Sequence, residues 1–175
     1  MNRQQLDELL YQAMETELGG EQVYLKALEC ARNDDLHEEW EKYLEETRNH
    51  QEILGRIFSA AGLDEAKETP GRKVVRHKAE ALVAAMDMAL AEAGPEAAEL
   101  VAAESVVEAE TKDQQYWELL ARVAGEVDGD LAEALSEAYD EVGEQEAEHL
   151  FHTQGWAREL WIQSLGMEAA LPPPE

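Results

Sequence analysis

"LAEALSEAYDEVGEQEAEHLFHTQGW", residues 131 to 156, reads as one helix whose apolar face changes character halfway along. Leu131, Leu135, Ala138 and Val142 recur at three- and four-residue spacing, the period of a helical core stripe. The same stripe then meets Glu146 and His149 before Thr153, Trp156 and Leu160. Buried charge is costly unless something pairs with it. Whatever pairs with Glu146 and His149 therefore points to the function.

Helix-favouring residues dominate throughout, and Gly, Pro and Asn cluster where a helix would stop. The breaks are Asn33-Asp34-Asp35, Gly62 through Gly71, Gly94-Pro95 and Gly125 through Gly129. They predict helices over 3–32, 35–62, 72–93, 95–125 and 130–166, the third of them short. Four helices of about 28 residues or more, on the order of 40 Å each, are expected to form an up-and-down bundle. The short helix is an insert between the second and third long helices, able to serve as a crossover. Its Arg72, Arg76, His77 and Lys78 read as a solvated helix end. Residues 1–170 form one all-α bundle in this reading, and 171–175, LPPPE, a Pro-rich tail.

Each long helix repeats the interruption of the opening stretch. In the first, Leu6, Leu10 and Ala13 lead to Glu17, and the stripe continues through Glu21 to Tyr24 and Leu28. In the second, Leu36, Trp40 and Tyr43 lead past Glu46 and Thr47 to His50, then Leu54 and Ile57. In the third, Glu110 lies one turn after Val106 and Val107, with Asp113 at i+3 within reach of the same volume. One Glu on a stripe edge usually reaches to water, and one His is usually a hydrogen-bonded core residue. Four helices with a mid-height carboxylate, two of them adding a histidine, match what a carboxylate-bridged pair of metals requires.

Two divalent cations carry four positive charges, which four carboxylates cancel. Hard oxygen ligands with one imidazole per ion suit iron or manganese. The candidate ligands are Glu17 or Glu21, Glu46, His50, Glu110, Glu146 and His149. His152 lies further from the stripe than His149 and is expected outside the site.

Forty acidic side chains against fourteen basic ones give a formal charge of −26. That field repels nucleic-acid phosphate and anionic lipid and gathers cations. The single cysteine, Cys30, allows no internal disulfide, suits a reducing compartment and reads as a small buried hydrophobe. MNRQQLDELL has no apolar h-region, and no apolar run approaches the roughly 20 residues of a membrane span. A cytoplasmic protein is expected.

"ELGGEQVYLKA", with Glu17 seven residues before Tyr24, resembles the first helix of bacterioferritin-type ferritins. "YLEETRNHQEILGRIFSAAGL", "KAEALVAAMD" and "EQVYLKAL" resemble more closely a family of small bacterial ferritin-like stress proteins. The similarity covers most of residues 15–125 and thins in the last helix. It implies a ferritin-like four-helix bundle with two iron ions, or manganese, that oxidises ferrous iron or reduces oxygen or peroxide in stress defence. The ferritin comparison implies Glu17 as first-helix ligand, the stress-protein comparison Glu21, and the stripe admits both. The stress-protein comparison also implies Glu110.

The second helix departs from the usual Glu-x-x-His pattern, because Thr47 stands three residues before His50. Its carboxylate must then come from Glu46 at i+4, which leaves an asymmetric site. Glu146-x-x-His149 keeps the usual spacing. The rival reading is a metal-free helical scaffold or partner-binding stress protein with an acidic face. Trp156, Trp161, Ile162 and Leu165 extend the last apolar surface beyond one core seam. They are expected to pack on a second copy, in a homodimer, or on the insert.

Overall fold

The structure, a computed structural model, describes residues 1–169, so the Pro-rich tail lies outside the described residues. Five helices follow the punctuation: α1 (Arg3–Cys30), α2 (Asp34–Ala61), α3 (Pro70–Glu92), α4 (Pro95–Ala124) and α5 (Asp130–Ser164). No strand occurs among the described residues. Local chemistry sets the ends. The Asn33 side chain accepts the N–H groups of Asp35 and Leu36, Thr69 accepts that of Arg72, and Pro70 and Pro95 occupy first-turn positions. Gly62 closes α2 with φ 70°, a left-handed conformation that glycine adopts without steric cost.

The order around the bundle is α1–α2–α5–α4, with α3 lying outside on α1 and α4. Cross-helix bonds give the directions. Gln12 meets Tyr116 and Tyr24 meets Glu110, so α1 and α4 are antiparallel. Lys42 meets Glu148 and Arg56 meets Glu141, so α2 and α5 are antiparallel too. Thr69 meets Glu8, Arg76 meets Glu15 and Lys26 meets Asp87, which sets α3 parallel to α1. Arg3 meets Ala61 and Glu21 meets Arg48, so α1 and α2 are antiparallel; α2 and α4 therefore run the same way, and α3 carries the chain back between them.

The lower end of α3 differs from its sequence expectation. Arg72 is buried, with Nε 2.8 Å from Glu15 and Nη1 2.6 Å from the Glu65 carbonyl. Arg76 adds a second bond to Glu15 at 2.6 Å, so only the outer part of this basic cluster, including His77, is solvated. Burying Glu15 required a guanidinium partner. At the upper end, Met86 and Ala89 of α3 join Trp156 in one apolar cluster. Trp156 thus packs within its own chain, Ile162 is half-buried, and Trp161 and Leu165 are exposed. Cys30 is buried, and burial pushes its thiol up to about 11.

α3 sits directly on α1 because Gly19 has no side chain: a Cβ there would stand 2.6 Å from the Ala79 Cβ. Gly19→Ala should lower the melting temperature, since overpacking costs about 1–3 kcal/mol against a helix-propensity gain of about 1 kcal/mol. Gly20→Ala places its Cβ 3.7 Å from Thr47 Cγ2, an ordinary contact, and should hold or raise it. Thermal melts followed by circular dichroism compare the two. Equal melting temperatures would show that α3 is not seated on Gly19.

The bundle has two apolar cores rather than one. The lower is built from Leu10, Leu54, Ile57, Trp117 and Leu135 among others, the upper from Tyr24, Trp40, Tyr43, Val106 and Trp156 among others. Between these two sets every bundle helix buries an acid or a histidine, with Thr16, Thr47 and Thr153 beside them. The polar groups thus form one layer at mid-height, walled above and below by hydrocarbon.

Candidate metal centre

All four bundle helices contribute to that layer, through Glu17 from α1, His50 from α2, Glu110 and Asp113 from α4, and Glu146 and His149 from α5. Each is at most 5% exposed. Helical spacing explains the placement. Glu146 and His149 at i and i+3 share a face, as do Glu110 and Asp113, and each stripe points inward because its apolar neighbours do.

The side chains converge in two triads that share Glu146. Glu17, His50 and Glu146 form one, Glu110, Glu146 and His149 the other, with the ligand atoms of each within 4.8 Å of one another. His50 Nδ1 lies 3.1 Å from Glu146 Oε1 and 3.4 Å from Glu17 Oε1. His149 Nδ1 lies 3.5 Å from Glu110 Oε2 and 3.8 Å from Glu146 Oε1. The two imidazoles are stacked, 5.8 Å between centroids and 24° between planes.

The far side of each residue is tied down, while the near side is not. His50 Nε2 is 2.9 Å from the Gln145 side-chain oxygen, and His149 Nε2 is 2.8 Å from Glu46 Oε2. Both Nε2 atoms donate, so both Nδ1 atoms face the layer. Trp117 Nε1 donates to Glu17 Oε1 at 2.7 Å, and the Tyr24 hydroxyl donates to Glu110 Oε1 at 2.7 Å. The inward atoms make no well-aligned hydrogen bond, although His50 Nδ1 stands 3.1 Å from Glu146 Oε1: they are Glu17 Oε2, Glu110 Oε2, Glu146 Oε2, Asp113 Oδ1 and both Nδ1 atoms. Native interiors leave few buried polar atoms unsatisfied. Six of them facing one small volume form a donor set of carboxylate oxygens and imidazole nitrogens, which fits a pair of hard to borderline cations.

The electrostatics agree. Burial, reinforced by the charges of Glu17, Glu146 and Glu110, holds the Asp113 carboxyl well above its usual range. Burial and Glu110 raise Glu146 to about 7. Burial opposes a charged His50, but Glu146 and Glu17 outweigh it and raise the imidazole to about 11. For His149, Glu110 and Glu46 likewise outweigh burial and raise it to about 9. Without cations, the layer keeps protons at neutral pH to offset its carboxylates.

Two sequence candidates stand elsewhere. Glu21 bonds to Arg48 Nε at 3.0 Å and Gln51 Nε2 at 2.9 Å on the outer α1–α2 seam, and these contacts hold its carboxyl below the usual range. Of the two first-helix alternatives, only Glu17 joins the layer. Glu46, about a fifth exposed, orients His149 from outside and lies 3.8 Å from Lys42. The i+4 offset from His50 turns it towards the α2–α5 surface. No α2 carboxylate enters the layer, and Thr47 is buried in that stretch. Asp113, one turn beyond Glu110, brings the number of buried carboxylates to four. His152 lies outside the layer, 2.8 Å from Glu39 and 3.0 Å from the Tyr43 hydroxyl.

Sequence reading missed the groups that hold the ligands from behind. Tyr24 lies on the first apolar stripe two turns from Glu17, and Trp117 stands one turn from Asp113; that spacing was the available signal. Gln145, beside Glu146 but off the stripe, carried none. Compared with known proteins, the chain matches no family model, no curated protein and no solved structure.

Proposed function

We propose that this layer holds two iron ions, or manganese, and that the protein is a ferritin-like oxidoreductase that oxidises ferrous iron or reduces oxygen or peroxide in stress defence. The observation carrying the reading is the pair of buried triads sharing Glu146, with inward ligand atoms unpartnered and outward ones fixed. Parallel α2 and α4, joined by one long crossover, support the ferritin-like description. Glu17, His50 and Glu146 hold one ion, Glu110, His149 and Glu146 the other, and Asp113 supplies the fourth negative charge. A ferrous pair held there would supply two electrons, which with two protons would take oxygen to hydrogen peroxide, or hydrogen peroxide to water. The chain's part is to fix ligand orientation through Trp117, Tyr24, Gln145 and Glu46. The two apolar cores keep the layer dry, with the Tyr43 ring 4.1 Å from the His149 ring.

Anaerobic titration of untagged protein with ferrous iron tests the reading, with about two ions per chain expected and oxygen or peroxide consumed afterwards. Failure to bind iron or manganese would favour the metal-free scaffold. The exposed Trp161 and Leu165 support the further proposal of a homodimer, which light scattering reads directly. Glu46→Gln should weaken metal binding about 10- to 100-fold, as loss of an orienting partner does elsewhere, whereas Glu21→Gln should leave it unchanged. Equal losses in the two variants would show that Glu46 has no special hold on His149.

A further inference from the structure

Outside the bundle, between α1, α3 and α4, lies a mostly apolar groove of about 550 Å³. Its walls include Gly20, Val23, Leu82 and Ala109, and its size lies within the roughly 300–1,000 Å³ of small-molecule sites. Lys78 from α3 and Lys112 from α4 also line it. Lys26, Lys42, Arg48 and Arg76 each pair with carboxylates. Lys78 and Lys112 form no ion pair among the described residues. Lys67, Lys73 and Arg122 also lack ion pairs among the described residues, but of these five cations only Lys78 and Lys112 line the groove.

The Lys112 ammonium rests 3.9 Å from the centre of the Tyr116 ring, which accommodates a partly desolvated cation. Glu108, one turn before Lys112, also faces the groove. Two lysines and one glutamate leave a single positive charge, which matches a monoanion better than a phosphate or a dicarboxylate.

We propose that this groove binds a monocarboxylate with an apolar chain, of the medium-chain fatty acid type. Its head group sits at Lys78 and Lys112, and its chain lies against Gly20, Val23, Leu82 and Ala109. The carboxylate relieves the repulsion between the two ammonium groups, and the chain displaces water from the apolar walls. Nothing in this site depends on the metal layer.

Isothermal titration of the full chain with decanoate, decanol and decyltrimethylammonium tests it. Decanoate should bind once per chain, decanol about tenfold more weakly for want of a charge-assisted bond, and the cation not at all. The double variant Lys78→Gln/Lys112→Gln, altered at the groove's rim, should lose about tenfold for decanoate and nothing for decanol. Ala109→Leu should weaken both by filling the groove, with circular dichroism confirming the helices. Decanol binding as tightly as decanoate to the wild type, or a double variant that binds decanoate like wild type, would overturn the proposal. So would a folded Ala109→Leu that binds decanoate normally.

Discussion

Glu146→Ala should abolish both of the proposed ion sites at once, whereas Glu17→Ala and Glu110→Ala should each abolish one. The difference follows from geometry. Glu146 belongs to both triads, while Glu17 and Glu110 belong to one each. Loss of the shared carboxylate should exceed the 10- to 100-fold affinity cost of losing an orienting partner, so binding falls by more than about 100-fold. The variant should still fold. Glu146 is a buried carboxyl raised by burial and by Glu110, so its removal relieves repulsion in the metal-free protein. It also takes from His50 Nδ1 the carboxylate 3.1 Å away, so the two effects oppose one another; the metal-free variant should keep its helical content and a cooperative melt, which separates loss of metal from loss of structure. Manganese titration by calorimetry, with circular dichroism alongside, gives both readings. Retention of a tightly bound ion by Glu146→Ala, or loss of both by Glu17→Ala, would contradict the shared-ligand arrangement.

The metal-free protein should become less stable as pH rises from 5 to 9. His149 is raised from 6.5 to about 9, so its stabilising contribution is complete below pH 6.5 and is lost as the pH passes 9. His50, raised to about 11, begins to lose its contribution above pH 6.5. Glu146 is raised from 4.5 to about 7, so the folded chain keeps a proton that the unfolded chain gives up, and stability falls between those values. Asp113 is shifted the same way. All four act with one sign. Each acts across its own window at up to about 1.4 kcal/mol per pH unit, so the combined loss is several kcal/mol, about 10 °C or more in melting temperature. On the proposed reading cations replace those protons, so the gap between metal-loaded and metal-free melting curves should widen from pH 5 to 8. A metal-free melting temperature that is flat or rising across this window would show that the layer does not hold protons.

Much of the layer was legible in the sequence because helical period and side-chain direction are tied together. A residue that interrupts an apolar stripe must face what the stripe faces, and this applies to Glu17, His50, Glu110, Glu146 and His149. Glu21 lies on the same stripe as Glu17, yet Arg48 and Gln51 draw it to the outer seam. One-dimensional spacing does not separate neighbouring turns of one face. The choice depends on which partners the adjacent helix offers. Glu46 shows the same limit: four residues from His50, it turns outward just far enough to reach His149 Nε2 from behind. Arg72, read as solvated, is buried because Glu15 on another helix needs it.

The sequence by itself determined five helices, their ends and their inward faces, since capping residues, prolines and the 3.6-residue period act over a few residues of local chain. Only the tertiary structure decided that Glu146 is shared between two triads, that Asp113 supplies a carboxylate where α2 offers Thr47, and that Trp117, Tyr24 and Gln145 hold the ligands from behind. Those outcomes depend on the relative height and rotation of neighbouring helices. The two apolar cores fix both by packing side chains far apart in the chain, and the polar groups between them are then left facing one another.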